Sequence, residues 1–365
     1  MIQTHKAPFV RMAKRENASK WHGWIVRITA LVLALLVCAL IIFVLVHINP
    51  IKVYIAMFEG NFGSSKRMWV GLRDLAMLLI IAIGLAPAFK MRFWNIGAEG
   101  QILVGGLATA AMMIYFGRVL PSWLILVISI FVSSIAGALW GGIPAFFKSR
   151  YNTNETLITL MMNYVAIQLT AFFIAKWENP FGSNTVGIIN QQTKAGWFPT
   201  LLDQRYMLNV IIVIILTIAM FVYLKYSKHG YEISVVGESE NTARYIGIDV
   251  KKVIIRTMLL SGAICGLAGY VAVAGASHTI STSTAGGRGF TAIIVAWLAK
   301  FNTFMMILVA GLLVFLQKGA IQIASQYNLN DYVSQMFTGI ILFFILGSEF
   351  FIKYRLIFRS RKEVS

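Results

Sequence analysis

The chain has 365 residues, of which 58% are hydrophobic and only 13% are charged, whereas an ordinary soluble domain is about 25% charged. This composition excludes a soluble globular protein and indicates that lipid surrounds most of the chain. The formal net charge of +18 would also suit nucleic-acid binding, so the positions of the basic residues have to separate the two classes.

Apolar segments long enough to cross a membrane recur along the chain. A bilayer core about 30 Å thick needs roughly 20 apolar residues in a helix. The segments that qualify are residues 25–47, 72–89, 96–116, 123–147, 157–176, 206–224, 253–274, 290–299, 303–324 and 332–351, although residues 290–299 are too few to span alone. That short segment follows a run rich in Ser, Thr and Gly, which is typical of a broken or re-entrant helix. The predicted fold class is all-α, a polytopic membrane bundle of about ten transmembrane helices.

The basic residues predict how these spans are oriented. A basic segment, residues 1–24, precedes the first span without a small-residue cleavage site, so that span is expected to remain as a helix. With the N-terminus in the cytoplasm, about two thirds of the 32 Lys and Arg residues fall on the cytoplasmic side. This bias predicts two cytoplasmic termini, a membrane domain over residues 25–352 and a basic tail over residues 353–365. It also excludes a nucleic-acid groove, because the basic residues mark topology.

Two predicted loops are longer than a simple turn requires. Residues 177–205 are expected outside and residues 225–252 inside. Neither loop is large enough to hold an independent domain, so catalysis by a soluble module is not predicted.

The first polar motif is Asn95-Ile-Gly-Ala-Glu99-Gly-Gln101, at the cytoplasmic start of the third span. Asn95 can cap the helix and Glu99 suits the positive end of its dipole, which is a structural interpretation. Two glycines with a Glu and a Gln at a membrane boundary equally favour close helix approach and a buried polar contact. Asn95, Glu99 and Gln101 are therefore candidates for the translocation pathway or its gating.

The second motif is Asn154-Glu155, which opens the fifth span. Thr159, Asn163 and Thr170 follow Glu155 at spacings that put them on one helical face. Such a stripe should point into the bundle or into a wet cavity, because facing lipid would cost free energy. Hydrogen bonding between helices and contact with a solute explain it equally well.

The third motif is the hydroxyl-rich run from Ser277 to Gly289, which contains Ser281, Thr282 and Arg288. These side chains, with Phe290 at the start of the next apolar segment, are candidates to line a path for a neutral polar solute. The alternative is an extracellular turn that is rich in local backbone hydrogen bonds.

The fourth motif lies in the inside loop after Gly230. Ser239 can act as a helix N-cap, Glu240 suits the first turn, and Gly247 can end the helix in a left-handed conformation. The prediction is a helix of about two turns on the cytoplasmic surface, with Tyr245 and Ile246 exposed at its end. Such a helix needs a partner to cover it, unless it is only a solvated connector.

Taken together and in this order, Asn95 to Gln101, Asn154-Glu155 and Ala243 to Ile248 resemble the permeases of sugar and nucleoside ATP-binding cassette importers. The resemblance extends over roughly residues 70 to 350 and includes the branch that serves ribose and branched-chain amino acids. It implies that the inside loop carries a coupling helix that docks on an ATPase. The residues implied in coupling are Glu238, Ser239, Glu240, Asn241, Ala243, Arg244, Tyr245, Ile246 and Gly247. Residues Glu238 to Asn241 depart from the Gly-x-Asn pattern of many relatives.

The chain offers no source of energy of its own. It has no Walker A motif, and Gly60 to Lys66 fails for want of a glycine before the lysine. ATP and Mg²⁺ are therefore expected on a partner ATPase, with no cofactor on this chain. The 5 His residues are not spaced as metal ligands, and the 2 Cys, Cys38 and Cys265, lie in apolar runs, so neither a metal site nor an enzyme is predicted.

The resulting prediction is a multi-pass permease in the bacterial cytoplasmic membrane, working with an ATPase subunit, a second permease and an extracytoplasmic binding protein or lipoprotein. The solute is expected to be neutral, because the spans offer Asn, Gln, Ser and Thr but little charge. The motif that begins at Asn95 resembles the nucleoside branch more than the ribose branch. The alternatives are a simple-sugar permease and, in another class, a secondary transporter or channel. All acidic residues are predicted in loops or at span ends, which counts against proton coupling.

Overall fold

The structure, a computed structural model, describes residues 10–15, 20–47 and 49–358. Both chain ends lie outside the described residues, and so do parts of the predicted basic segment and basic tail. The helices are α1 (Lys20–Val46), α2 (Pro50–Phe62), α3 (Ser65–Lys90), α4 (Ala98–Phe116), α5 (Ser122–Tyr151), α6 (Glu155–Trp177), α7 (Met207–Tyr226), α8 (Lys228–Glu238), α9 (Glu240–Tyr245), α10 (Val250–Ala272), α11 (Arg288–Leu298), α12 (Thr303–Gln326) and α13 (Asp331–Lys353). A π-helix, Val273–Ser277, continues α10, and the strands are β1 (Val10–Lys14) and β2 (Tyr354–Phe358).

The all-α membrane fold is confirmed. Within the described ranges, 9 helices are long and apolar enough to cross a membrane: α1, α3, α4, α5, α6, α7, α10 with its π-helix, α12 and α13. The predicted short segment is α11, which has 11 residues. At 1.5 Å per residue this helix is about 16 Å long, roughly half the thickness of a bilayer core.

Two helices, α2 and α8, were not predicted. Both are too short for the length criterion, yet each has a defined start: the Asn49 side chain accepts from the Ile51 N–H at 2.9 Å, and Ser227 accepts from the Gly230 N–H at 2.9 Å. Pro50 at the first position of α2 adds to this signal, because its fixed φ suits a helix start. The inside loop therefore contains two helices, α8 and α9, rather than the single one expected.

The described residues divide into two compact units, of which the first lies within residues 1–64 and 315–365. In this unit α1 packs against α13, and Arg27 forms an ion pair with Glu349. Strand β1 pairs antiparallel with β2, from Val10 opposite Phe358 to Lys14 opposite Tyr354. The pairing brings the residues before α1 alongside those after α13.

The second unit comprises residues 65–314 and is built around α10. In the most apolar window of α10, 78% of the residues are buried, against 28% in each of α5, α6 and α7. Helix α10 packs against α3, α4 and α5. Most residues of α5, α6 and α7 are not buried within the unit, which leaves surface for lipid or a partner.

Close packing around α10 depends on glycine. Gly262 and Gly266 of α10 are spaced as Gly-x-x-x-Gly and face Gly137 of α5 and Gly105 of α4. A Cβ atom at any of these positions would overlap a backbone carbonyl group of the facing helix. Small residues allow membrane helices to approach closely, so these glycines set the spacing of the core.

Candidate functional site

The segment between α3 and α4 folds into the core of the second unit. Asn95 is fully buried: its Nδ2 donates to Ser261 Oγ at 3.1 Å, while its Oδ1 accepts from Gln101 Nε2 at 3.2 Å and from the Gly97 N–H at 3.0 Å. Asn95 therefore ties the start of α4 to the middle of α10. Hydrogen bonds within the protein use the polar atoms of both Asn95 and Gln101.

The polar stripe of α6 meets the same segment. Thr159 Oγ1 accepts from the Ile96 N–H at 3.2 Å, Asn163 Nδ2 donates to the Ile96 carbonyl at 2.9 Å, and Asn163 Oδ1 accepts from the Gly100 N–H at 2.8 Å. These contacts favour hydrogen bonding between helices over direct contact with a solute. Thr170 makes none of these contacts, and its hydroxyl donates to the Ala166 carbonyl one turn earlier in α6.

Asn154 and Glu155 are not brought together with Asn95. Asn154 is an exposed N-cap whose side chain accepts from the Leu157 N–H at 3.2 Å, and Glu155 forms a 3.0 Å ion pair with Lys148. The observed contacts begin α6 and join it to the end of α5.

Glu99 reaches across to another helix. Its Oε1 accepts from the Gly289 N–H at 2.6 Å, and its carboxylate also faces the N–H groups of Gly287 and Phe290. Such donors at the start of a helix have no partner within the helix, and a negative charge is favourable there, so Glu99 satisfies them. A Cβ atom at position 289 would lie 2.9 Å from the Glu99 backbone nitrogen, so only glycine fits without a shift.

The expectation that all acidic residues lie in loops or at span ends is wrong for Asp74. Helix α3 begins at Ser65 rather than at residue 72, which places Asp74 in its third turn, where the side chain is buried. Asp74 Oδ1 accepts from Arg73 Nε at 3.0 Å and Nη2 at 2.8 Å, and Arg288 Nη2 lies 3.9 Å away. The sequence signal was present, because Arg73-Asp74 stands beside a long apolar run.

A cavity of about 290 Å³ opens beside this charge cluster. It is lined by Arg73, Asp74, Met77, Ala272, Ala276, Ser277, Thr279, Ser281, Ser283, Thr284 and Arg288. Of the predicted pathway residues, Ser281 and Arg288 line the cavity. Thr282 and Phe290 do not line it: Thr282 is exposed, and Phe290 on α11 is 47% exposed. The lining combines an acid, two guanidinium groups and five hydroxyls, so it can both donate and accept hydrogen bonds.

His278 caps the π-helix next to this cavity, in a left-handed conformation with φ of 54°. The ring is buried and stacks on Trp197 with centroids 3.8 Å apart. Burial, and then the nearby positive charge of Arg205, lower the pKa of His278 to about 4. The imidazole is therefore neutral at physiological pH.

On the opposite side of the second unit, the predicted short helix is confirmed as α9. The Ser239 hydroxyl accepts from the Thr242 N–H at 3.2 Å, and Gly247 follows the helix with φ of 84°. Ala243 is buried, whereas Tyr245 is 92% exposed and Ile246 is 51% exposed. Arg244 pairs with Glu240 at 3.5 Å, and both side chains are largely exposed.

Helix α8 connects this surface to the membrane helices. A Cβ atom at Gly237 would overlap the carbonyl oxygen of Lys90 at the end of α3, so the two backbones are in direct contact. His229 Nε2 lies 3.3 Å from the Thr257 hydroxyl of α10, and Nδ1 lies 2.6 Å from the Tyr223 hydroxyl. Burial lowers the pKa of His229, so this contact is made by a neutral ring.

No three His, Cys, Asp or Glu side chains come together as a metal-binding group within the ranges that the structure describes. Cys38 and Cys265 are buried free thiols.

The chain is similar to permeases of transport systems over most of its length. The family model described as branched-chain amino acid transport system / permease component matches residues 68–346. The chain is 30% identical to the guanosine ABC transporter permease protein NupP of Bacillus subtilis over 89% of this chain and 93% of that one. It is 26% identical to the glucose ABC transporter permease protein TsgB13 of Haloferax volcanii, over 89% of this chain and 87% of that one. It is 28% identical to the nucleoside ABC transporter permease protein NupB of Lactococcus lactis, over 81% of this chain and 84% of that one. No solved structure matches.

Proposed function

Because the chain belongs to the branched-chain amino acid transport system / permease component family, we propose that it is the membrane-spanning permease of an ATP-binding cassette importer for nucleosides. The observation that carries the proposal is the 30% identity to a guanosine permease along almost the whole of both chains.

A nucleoside is favoured over a simple sugar by two features of the sequence. Two of the relatives above carry nucleoside or guanosine in their names, whereas the glucose permease is 26% identical. The motif from Asn95 to Gln101 also resembles the nucleoside branch. A simple sugar remains the second candidate, because the glucose permease matches over 89% of the chain.

ATP and Mg²⁺ are assigned to a separate ATPase subunit, because the sequence has no Walker A motif. Helix α9 is the proposed contact, through the set from Glu238 to Gly247. Tyr245 is 92% exposed beside the half-exposed Ile246, so both side chains are available to a partner. Helix α8 would pass the movement on, since Gly237 touches the end of α3. The chain itself is a transport subunit and not an enzyme.

Two further partners complete the proposed assembly in the cytoplasmic membrane. A second permease, as another copy or a related chain, would form the other half of the pathway, and an extracytoplasmic binding protein or lipoprotein would deliver the solute. The surfaces of α5, α6 and α7, which are mostly unburied, leave room for both lipid and the second permease.

The test is uptake of radiolabelled guanosine and ribose by vesicles that contain the whole assembly, with and without ATP. The expected result is guanosine accumulation that requires ATP, and little accumulation of ribose. ATP-dependent uptake of ribose alone would select the sugar alternative. Guanosine uptake that continues without ATP would contradict an importer and support a facilitated channel.

A further inference from the structure

The cavity of about 290 Å³ beside α3 lies at the lower end of the volumes of small-molecule sites. One wall is formed by Arg73, Asp74 and Met77 of α3. The facing wall is formed by the π-helix and the hydroxyl-rich residues that follow it. Ser277 and Ser283 in this wall are exposed, so the cavity reaches the surface of the unit.

The three charged side chains at this site, Arg73, Asp74 and Arg288, interact with one another. Arg73 holds Asp74 through two hydrogen bonds, and its guanidinium also lies 5.0 Å from the ring centre of Tyr206 and 3.5 Å from the Tyr206 hydroxyl. Arg288 is held less tightly, 3.9 Å from Asp74 and 3.5 Å from the Thr284 carbonyl, and its side chain is 38% exposed. Arg288 is therefore the guanidinium that can turn toward a ligand.

The hydroxyl wall is shaped by irregular backbone. The π-helix interrupts the regular hydrogen bonding of α10, and such interruptions are frequent at functional sites. The Thr284 hydroxyl accepts from the Ser281 N–H at 2.8 Å, which fixes the turn. Within the described part of the chain, the Ser283 hydroxyl makes one hydrogen bond, with Ser281 Oγ at 3.1 Å. Ser283 therefore retains hydrogen-bonding capacity on the side of the cavity.

We propose that this cavity is a binding site for the transported nucleoside within the permease, an inference that rests on the proposed function. Arg288 would donate to the acceptor edge of a purine base, Asp74 would accept from its N–H groups, and Ser283 would bind the sugar hydroxyls. Guanidinium groups pair with the O6 and N7 acceptors of guanine, and carboxylates accept from base N–H groups. The alternative, a turn held only by local hydrogen bonds of its hydroxyl groups, would not require a buried acid beside two guanidinium groups, because burying charge costs free energy.

The test uses the complete assembly in proteoliposomes, with guanosine uptake and ATP hydrolysis measured together. Arg288→Ala removes the mobile donor, and Ala276→Phe fills the cavity from the π-helix. The matched controls are Arg118→Ala, an exposed arginine outside the cavity, and Ala175→Phe, which adds the same bulk on the exposed face of α6.

Arg288→Ala should raise the KM for guanosine about tenfold or more, because losing a hydrogen bond to a charged group weakens binding by about that factor. Ala276→Phe should abolish uptake, while ATP hydrolysis by the assembly persists and reports that the subunits are intact. Both controls should transport guanosine as the wild type does.

Each contrary outcome has a distinct meaning. A wild type that accumulates guanosine, with Arg288→Ala and Ala276→Phe unchanged, would overturn the cavity site and leave the proposed function standing. A wild type that accumulates no guanosine would overturn both. Guanosine 5′-monophosphate that competes better than adenosine or inosine would show that the guanidinium groups bind an anion, and would overturn the assignment to a neutral nucleoside.

Discussion

Gly289 and Glu99 show how one buried contact can explain two unusual residues. The carboxylate accepts from the Gly289 N–H at 2.6 Å, and the missing Cβ of Gly289 makes room for that approach. Glu99 was expected to stabilise its own helix or to take part in gating. Glu99 belongs to α4, but its carboxylate lies at the start of α11, which makes it a positioning residue for the short helix.

Replacing Gly289 with Ala should lower the thermal unfolding midpoint in detergent and reduce ATP-driven guanosine uptake. The added Cβ would lie 2.9 to 3.0 Å from three atoms of Glu99, and overpacking of this kind costs about 1 to 3 kcal/mol. Gly71→Ala in α3 is the control, because nothing lies within 4 Å of its added Cβ. An equal effect of both substitutions would argue against a tight contact at position 289.

Glu99→Gln and Glu99→Ala separate the hydrogen bond from the charge. Glutamine keeps an oxygen that can accept from Gly289, so we expect it to retain more uptake and a higher unfolding midpoint than alanine does. Alanine leaves the donors at the start of α11 unsatisfied, which costs about 1 to 3 kcal/mol. Identical behaviour of the two variants would assign the effect to the charge.

His278 predicts a pH dependence of stability. Its folded pKa of about 4 is below the usual 6.5, so the unfolded chain binds more protons between these values. Stability is fully present above pH of about 6.5 and falls as the pH drops toward 4.

The check is the unfolding midpoint of wild type and His278→Asn from pH 8 to pH 4.5 in detergent. Asparagine tolerates the left-handed conformation at this position but does not titrate. The wild type should lose more stability than the variant over this range, and parallel curves would contradict the assignment.

At the scale of elements, α9 combines a rigid base with an exposed tip. The Ser239 cap and the buried Ala243 fix the helix, while Tyr245 and Ile246 at its end face outward. The local sequence predicted this helix correctly. Helix α8 was missed, although it touches both α3 and α10.

Tyr245→Ala, alone or with Arg244→Ala, should uncouple ATP hydrolysis from uptake and leave the fold intact. The two side chains are exposed, and surface substitutions usually change stability by less than about 0.5 kcal/mol. The measurement is the ratio of guanosine transported to ATP hydrolysed, with Tyr231→Ala, an exposed tyrosine of α8, as control. An unchanged ratio in the α9 variants would remove this helix from the coupling mechanism.

At the scale of the whole molecule, the pairing of β1 with β2 bears on topology. Because the start of α1 and the end of α13 lie side by side, an even number of crossings is expected. Helix α11 and the residues before it form the segment predicted to complete that number. The charge bias predicts that the shared side is the cytoplasm.

Cysteine labelling tests this topology. Ala13→Cys and Arg355→Cys should react with a membrane-impermeant maleimide only after the cells are permeabilised, whereas Arg118→Cys should react in intact cells. The native thiols Cys38 and Cys265 are buried, so they contribute little background. Labelling of positions 13 and 355 from opposite sides would contradict the strand pairing.

The sequence by itself determined the features that depend on neighbouring residues. The length of the apolar segments predicted the long helices, and Ser239 with Gly247 predicted α9. Both predictions succeed because helix formation and capping depend on residues close together in the sequence. Only the tertiary structure decided that Glu99 caps α11 and that Asp74 and Arg288 share a cavity. The hydrogen bond from Gly289 to Glu99 joins residues 190 positions apart, and no local pattern encodes which distant helix a buried carboxylate faces. Burial makes such a pairing necessary, and the packing of glycine-bearing helices around α10 selects the partner.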